Sequence, residues 1–239
     1  MTINEVVDRH HQNEFNNHGN LFSKHNTTNM TFRDRHEAAF LLEEQLVEFK
    51  NCDGIVVALP RGGVPVGFVI AGSLHLPLQV VPAKKIGHPQ NKEYAIGAVT
   101  LAGYKVLASI DQVSKSYINE EAERISKLLE KQNSMYNEGR YLKSFEDKIV
   151  IVVDDGLATG YTAEAALKYI KSKKPKQLIL AVPAASKNAL NKLKPLVDKL
   201  FCLKQNDDFQ AVGQFYQKFD QVEDYEVIDY LNRSEILQF

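Results

Sequence analysis

Short apolar runs rich in β-branched residues alternate along this chain with segments of helical length. The runs IVVAL at 55–59, IVIVV at 149–153 and LILAVPA at 178–184 are continuous. Such runs are typical of strands that are buried on both faces of a parallel sheet. Helices are predicted between them, near 64–74 and 162–172. The alternation predicts an α/β fold, with a mostly parallel twisted sheet flanked by helices.

Other segments continue this alternation. Apolar residues step by three and four positions from Ala38 to Phe49 and predict an amphipathic helix that ends near Lys50. The remaining predicted elements are strands at 78–82 and 199–204, a charged helix at about 114–137 and a helix near 186–194. A long segment at 84–109 contains glycines and lysines and has no predicted element.

Residues 1–30 differ from the rest of the chain. They are rich in Asn and His, include His10, His11, His18 and His25, and show no sustained apolar period. This composition predicts a flexible N-terminal tail, followed by a single domain at 31–239 with a small C-terminal hood. A His-rich tract can also bind metal, but no carboxylate or cysteine lies at a repeating ligand distance from these histidines.

Charge and cysteine content narrow the classes of function. The chain has 29 Lys and Arg against 30 Asp and Glu, a net charge of -1, so it lacks the cationic field that non-specific binding to nucleic acid or anionic membrane requires. Cys52 and Cys202 are far apart and indicate neither a disulfide framework nor a zinc site. Without a long apolar segment or a secretory signal, the expected location is the cytoplasm.

The most informative segment is IVVDDGLATGYT at 151–162. A buried strand ends at Asp154 and Asp155, and a short loop then leads into a helix. Ligands of parallel sheets bind at the carboxyl ends of strands. Loop amides, a helix N-terminus and the Thr159 and Thr162 hydroxyls can bind a phosphate, while the two carboxylates can accept hydrogen bonds from a sugar diol. We interpret this segment as a ribose 5-phosphate site; the plain alternative is a surface turn in which Asp155 caps the helix.

This segment resembles the signature of type I phosphoribosyltransferases, the enzymes that use phosphoribosyl pyrophosphate. The resemblance implies that Asp154 and Asp155 bind the ribose hydroxyls, act at the reacting centre and help to hold Mg²⁺. It also implies that the 5-phosphate is bound by the loop residues Gly156, Ala158, Thr159, Gly160 and Thr162. No P-loop or dinucleotide-binding motif is present to support a different phosphate site.

A second motif, Pro60-Arg61-Gly62-Gly63, follows the first buried strand and resembles the pyrophosphate loop of the family. Glycines allow backbone amides to approach an anion, and an arginine offers a fork of donors to phosphate oxygens. Taken alone, a turn with a solvated arginine explains these residues equally well. Lys84 and Lys85 are further candidates for pyrophosphate binding, or else a solvated basic pair. The segment 86–104 is expected to form the family's mobile loop.

From about Phe32 onward, the chain is similar to a group of bacterial proteins named only provisionally as phosphoribosyltransferases. Asp208-Phe209-Gln210 resembles the segment of purine-salvage enzymes in which a phenylalanine stacks on the base, although Phe209 fits a small core equally well. Ala158 stands where those enzymes carry an Asp, and Gln217 or its neighbours stand where they carry a second acid. The expected partners are therefore phosphoribosyl pyrophosphate and a nitrogenous base of unspecified kind, with Mg²⁺ as cofactor and a possible homodimer. The alternative is a non-catalytic sensor of phosphoribosyl pyrophosphate or a nucleotide.

Overall fold

A five-stranded parallel sheet forms the centre of the fold. The computed structural model describes residues 31–108 and 113–236, so the predicted tail at 1–30 lies outside the described residues. The strands are β1 (Gly54–Ala58), β2 (Leu78–Val80), β6 (Ile149–Val153), β7 (Gln177–Ser186) and β8 (Lys199–Asn206). They lie in the order β2-β1-β6-β7-β8, and every neighbouring pair is parallel. This confirms the predicted α/β architecture.

Helices cover both faces of this sheet. They are α1 (Arg35–Glu43), α2 (Gly63–Leu74), α3 (Lys115–Tyr136), α4 (Tyr161–Lys171), α5 (Lys187–Leu193) and α6 (Asp224–Ile236). Side chains alternate along each strand, so Val56 and Ile151 face the core under α1, α2 and α6, whereas Val57 and Val152 face the core under α4 and α5. The first helix ends at Glu43, and a 3₁₀ turn at Val47–Phe49 completes the predicted helical stretch.

A small antiparallel sheet, which we call the hood, lies beside the parallel one; it comes from the middle of the chain, whereas the hood was predicted in the C-terminal segment. It consists of β3 (Ala83–His88), β4 (Asn91–Thr100) and β5 (Lys105–Leu107), in the order β3-β4-β5. One face packs through Ile86 and Val99 on α3, and the other packs through Ala98 on Ala165 of α4. Most of the segment that we expected to be a mobile loop is therefore paired strand, because its alternate apolar side chains are buried.

The chain near Phe32 pairs with the segment that follows β8. The Phe32 backbone N–H donates to the Phe215 carbonyl over 2.7 Å, and the Gln217 N–H donates to the Phe32 carbonyl over 2.8 Å. This pairing holds the start of α1 and the stretch 219–222 near the carboxyl ends of the central strands. Helix α6, which we did not predict, then packs on α2. No helix in the described part of the chain has the length and apolar character needed to cross a membrane.

Candidate active site

Two acidic residues follow directly on the central strand β6. The backbone N–H of Asp155 donates to Oδ1 of Asp154 over 2.9 Å, and the hydroxyl of Tyr216 donates to the Asp155 carbonyl over 2.6 Å. Asp155 is 8% exposed and is one of the few buried acidic residues in the described part of the chain. The carboxyl end of β6 thus holds both carboxyl groups in a fixed arrangement at the edge where parallel sheets bind ligands.

Arg35, in the first turn of α1, forms an ion pair with this acidic pair. Its Nε donates to Oδ2 of Asp155 over 2.9 Å, and both side chains are only 11% exposed. Its Nη1 donates to the carbonyl of Asp220 over 2.8 Å, and its guanidinium lies 3.8 Å from the centre of the Phe219 ring. Arg35 could not be predicted as a site residue from the sequence, because its partner lies 120 positions away.

The electrostatics of the acidic pair favour a cationic or hydroxyl-bearing ligand. Burial and the neighbouring Asp155 charge raise the pKa of Asp154 well above its usual range. Burial also raises the pKa of Asp155, and the Arg35 guanidinium opposes that rise. Burial and the charge of Asp155 raise the pKa of the Tyr216 hydroxyl, so this group remains a donor. The O–H groups of a diol would supply the donors that two buried carboxyl groups require.

The Pro60-Arg61-Gly62-Gly63 motif lies against the same acids. The Pro60–Arg61 peptide bond is cis. A Cβ on Gly62 would lie 2.0 Å from Oδ2 of Asp155, and one on Gly63 would lie 2.9 Å from the Asp154 Cα. Both glycines are therefore required for the close approach of this loop to the acidic pair.

Arg61 points from this loop towards the start of α6. Its Nη1 lies 3.2 Å from Oε2 of Glu223 and 3.7 Å from Oδ1 of Asp224. The Arg61 side chain is 32% exposed and that of Glu223 is 45% exposed, so the pair is weak enough for a more highly charged anion to displace it.

The loop at 156–160 is fixed on the end of β7. The Leu157 N–H donates to the Ala184 carbonyl and the Ser186 N–H donates to the Leu157 carbonyl, each over 2.9 Å. The Ser186 hydroxyl donates to the Ala158 carbonyl over 2.5 Å. These hydrogen bonds to a neighbouring strand hold the loop in a defined conformation.

Gly160, the N-cap residue that precedes helix α4, has a left-handed conformation with φ of 72°. The first N–H groups of a helix have no acceptor within the helix, and those of α4 follow directly on the loop, with Thr162 in the first turn. Thr159 is exposed, and its carbonyl accepts a hydrogen bond from Nζ of Lys192 over 3.0 Å. The loop therefore has the backbone and hydroxyl donors of an anion site.

An open cavity of about 460 Å³ lies at the acidic pair, beside the Arg61 loop. Four of the predicted site residues line it: Arg61, Gly62, Asp154 and Asp155. Arg35 and the stretch 219–222, which were not predicted as site residues, also line it. The segment 60–62, the acidic pair and these added residues come from distant parts of the sequence.

The other nine predicted residues do not line the cavity. Six of them adjoin it in sequence: Gly63, Gly156, Ala158, Thr159, Gly160 and Thr162. The remaining three, Lys84, Lys85 and Phe209, lie elsewhere. Lys84 and Lys85 are neighbours on strand β3, so their side chains lie on opposite faces, and neither lines the cavity. Lys84 is exposed and is a minor contributor, after the Arg124 hydrogen bond, to the lowered pKa of Glu121 on α3. Phe209 is half-buried, with its ring centre 4.9 Å from that of Phe215. Phe209 thus packs in the small cluster around Phe32 and Phe215 and does not line the cavity.

The donor set for a metal ion is small. Among residues 31–108 and 113–236, no group of three or more His, Cys, Asp or Glu side chains is arranged to hold a metal ion. Oδ1 of Asp154 accepts the Asp155 N–H, and Oδ2 of Asp155 accepts Arg35. These contacts leave few oxygens of the acidic pair for direct coordination.

Comparison with known proteins identifies the class. The model of the phosphoribosyl transferase domain matches residues 34–220, a range that includes the acidic pair, the loop at 156–160 and the Arg61 loop. The chain therefore belongs to the phosphoribosyl transferase domain family.

Individual relatives agree with this assignment. The protein named "Putative phosphoribosyl transferase" in Mycobacterium tuberculosis strain H37Rv is 35% identical over 215 residues, which are 85% of this chain and 47% of the relative. A protein of the same description in strain CDC 1551 / Oshkosh matches equally. This chain thus spans about half the length of the curated relatives it matches. The crystal structure of TT1426 from Thermus thermophilus is similar with a TM-score of 0.72 and 37% identity, and the match covers 85% of this chain and 99% of that one.

Proposed function

We propose that this chain is a phosphoribosyltransferase, which transfers the 5-phosphoribosyl group of phosphoribosyl pyrophosphate to a nitrogen nucleophile and releases pyrophosphate. One observation carries the proposal. The Asp154–Asp155 pair, of which Asp155 is buried, and the Arg61–Gly62 loop line a single cavity at the carboxyl end of the sheet, in a chain of the phosphoribosyl transferase domain family.

Each part of the site has a distinct task in this proposal. Asp154 and Asp155 accept hydrogen bonds from the two ribose hydroxyls, which satisfies two buried carboxyl groups. The loop amides after Asp155, with the Thr159 and Thr162 hydroxyls, bind the 5-phosphate at the start of α4. Arg61 leaves its partly exposed pair with Glu223 and binds the pyrophosphate, together with the amide of Gly62, while the Gly63 N–H donates to the Leu59 carbonyl over 3.0 Å.

The proposed reaction is a substitution at C1 of the ribose. The C1–O bond to pyrophosphate breaks and its electron pair leaves with the pyrophosphate. A C1–N bond forms with the lone pair of the nucleophile, whose nitrogen then gives up a proton to solvent. Arg61 and the loop amides stabilise the negative charge that develops on the leaving group, while the acidic pair keeps the sugar oriented.

The described residues do not fit a resident Mg²⁺ ion, because the acidic pair is already engaged by Arg35 and by a backbone N–H. We therefore derive no step through a metal held by the protein. Mg²⁺ enters the proposal only with the substrate, as the counter-ion of the pyrophosphate.

The acceptor is proposed only as a nitrogenous nucleophile. Phe219 is the one aromatic residue that lines the cavity described here. The Arg35 guanidinium covers one face of its ring, and the Tyr216 ring stacks on it with centres 4.9 Å apart. The guanidinium and the Tyr216 ring can lie this close only on opposite faces of the Phe219 ring. Neither face of that ring is therefore open to a base. A purine held by aromatic stacking is thus not favoured by this cavity.

A pyrophosphate-release assay tests the proposal directly. The purified chain is mixed with phosphoribosyl pyrophosphate, Mg²⁺ and a panel of purines, pyrimidines, small amines and ammonia. We expect pyrophosphate release that depends on one class of nucleophile and that is abolished by Asp155→Asn. Tight binding of phosphoribosyl pyrophosphate without release for any nucleophile would contradict the enzyme proposal and favour the sensor alternative.

A further inference from the structure

A buried ion pair connects the first helix with the acidic pair of the site. The Arg35 Nε to Asp155 Oδ2 distance is 2.9 Å, and each side chain is only 11% exposed. Breaking a buried ion pair leaves an uncompensated charge in the protein interior, which is strongly unfavourable. A pair of this kind in the lining of a cavity therefore constrains what else can contact Asp155.

Arg35 is itself held from several sides. Its Nη1 donates to the Asp220 carbonyl over 2.8 Å, and its guanidinium lies 3.8 Å from the centre of the Phe219 ring. The Tyr216 ring stacks on Phe219 at an interplanar angle of 25°, and the Tyr216 hydroxyl donates to the Asp155 carbonyl. These contacts link Arg35, Phe219, Tyr216 and Asp155 in one packed group. The guanidinium therefore cannot move without disturbing its neighbours in that group.

The ion pair also takes up an oxygen that a metal ion would need. Oδ2 of Asp155 accepts from Arg35, and Oδ1 of Asp154 accepts from the Asp155 N–H. A divalent ion that coordinates Asp155 directly has to compete with a permanently charged, well-packed guanidinium. The Arg35 guanidinium thus already serves as the cation beside the acidic pair.

We propose that Arg35 is the resident cation of the acidic pair. It acts as a positioning residue that orients the Asp155 carboxylate towards the sugar hydroxyls and keeps divalent metal ions from binding that carboxylate directly. The sugar part of this inference rests on the proposed function. The metal part rests only on the contacts of Arg35.

The metal part is tested without any sugar ligand, by Mn²⁺ titration followed by electron paramagnetic resonance. We expect the wild-type chain and Asp155→Asn to bind Mn²⁺ alike. Arg35→Gln should gain one Mn²⁺ site, and Arg35→Gln combined with Asp155→Asn should lose that site. A wild-type Mn²⁺ site that Asp155→Asn removes would overturn the proposal, as would the absence of a new site in folded Arg35→Gln.

The sugar part is tested by calorimetric titration with ribose 5-phosphate. Arg35→Gln should weaken binding about 10-fold or more, because a charged hydrogen-bond partner of Asp155 is lost. Arg35→Lys keeps the charge but has no planar fork, and it should recover part of the affinity. Arg33→Gln is the matched control, since Arg33 lies two positions away with its side chain 50% exposed, and it should bind as the wild type does. Equal affinity of Arg35→Gln and the wild type would overturn the positioning role.

The two experiments separate failure of the inference from failure of the proposed function. A wild-type chain that binds no ribose 5-phosphate would contradict the phosphoribosyl proposal, and the Mn²⁺ titration would still decide the metal part. If Arg35→Gln does not fold, the comparison of wild type with Asp155→Asn and the Arg35→Lys titration decide the two parts.

Discussion

Gly62 shows how closely the Arg61 loop approaches the acidic pair. A Cβ at this position would lie 2.0 Å from Oδ2 of Asp155, the same oxygen that accepts the Arg35 hydrogen bond. A methyl group here cannot be accommodated unless the carboxylate or the loop moves. The site therefore depends on the absence of a side chain as much as on the charged groups around it.

Gly62→Ala is expected to disturb the site in a specific way. Displacement of Asp155 should weaken ribose 5-phosphate binding and lower the free energy of unfolding by about 1–3 kcal/mol. Calorimetry and urea denaturation measure the two effects.

The matched control for this change is Gly72→Ala in helix α2, where a Cβ would meet nothing within 4 Å. That change should leave binding intact and raise the free energy of unfolding by about 0.5–1 kcal/mol. Wild-type behaviour of Gly62→Ala in both measurements would contradict the close approach.

The sequence indicated some site residues and not others. Asp154 and Asp155 could be predicted because their strand, loop and helix are contiguous along the chain. Arg35 could not, since nothing local in FRDRHEAA shows that its guanidinium meets a carboxylate 120 positions away. Phe209 and Phe219 are both aromatic residues of the C-terminal segment, and only packing distinguishes the one that lines the cavity.

At the scale of elements, helix α1 carries Arg35 in its first turn, so the start of this helix positions the ion pair. Oδ1 of Asp34 accepts a hydrogen bond from the Glu37 N–H over 3.0 Å and caps the helix. A cap of this kind satisfies one of the free N–H groups of the first turn.

Removal of the cap should therefore affect both stability and the site. Asp34→Ala is expected to lower the free energy of unfolding by about 1 kcal/mol, measured by urea denaturation. It should also weaken ribose 5-phosphate binding modestly. Asp34→Asn keeps a capping oxygen and is the control that should behave as the wild type. A loss of stability in Asp34→Asn as large as that in Asp34→Ala would show that charge, and not the cap, is responsible.

The strands of the parallel sheet were predictable and the hood strands were not. The run IVIVV coincides with β6 at Ile149–Val153 because a strand buried on both faces is apolar throughout. Strand β3 reads AKKIGH and is partly exposed, so its composition gives no continuous apolar signal. Helix α6 does have Val227 and Leu231 one turn apart, but the charged residues around them obscured this pattern.

At the scale of the whole molecule, the cavity is assembled from four separated segments. Arg35, the loop at 60–62, the acidic pair and the stretch 219–222 meet only after the sheet and the C-terminal segment have formed. The net charge of -1 therefore says little about the site, where Arg35 is paired with Asp155 and Arg61 with Glu223. We expect recognition of an anionic sugar phosphate to depend on Arg61 and on oriented backbone amides rather than on a general attractive field.

The central claim is that the cavity binds phosphoribosyl pyrophosphate through the acidic pair. Calorimetric titration of phosphoribosyl pyrophosphate with Mg²⁺ into the wild-type chain and into Asp155→Asn tests it most directly. The account predicts one binding site per chain in the wild type and a loss of affinity of about 10-fold or more in Asp155→Asn. Equal affinity of the two proteins, or no binding by the wild type, would contradict it.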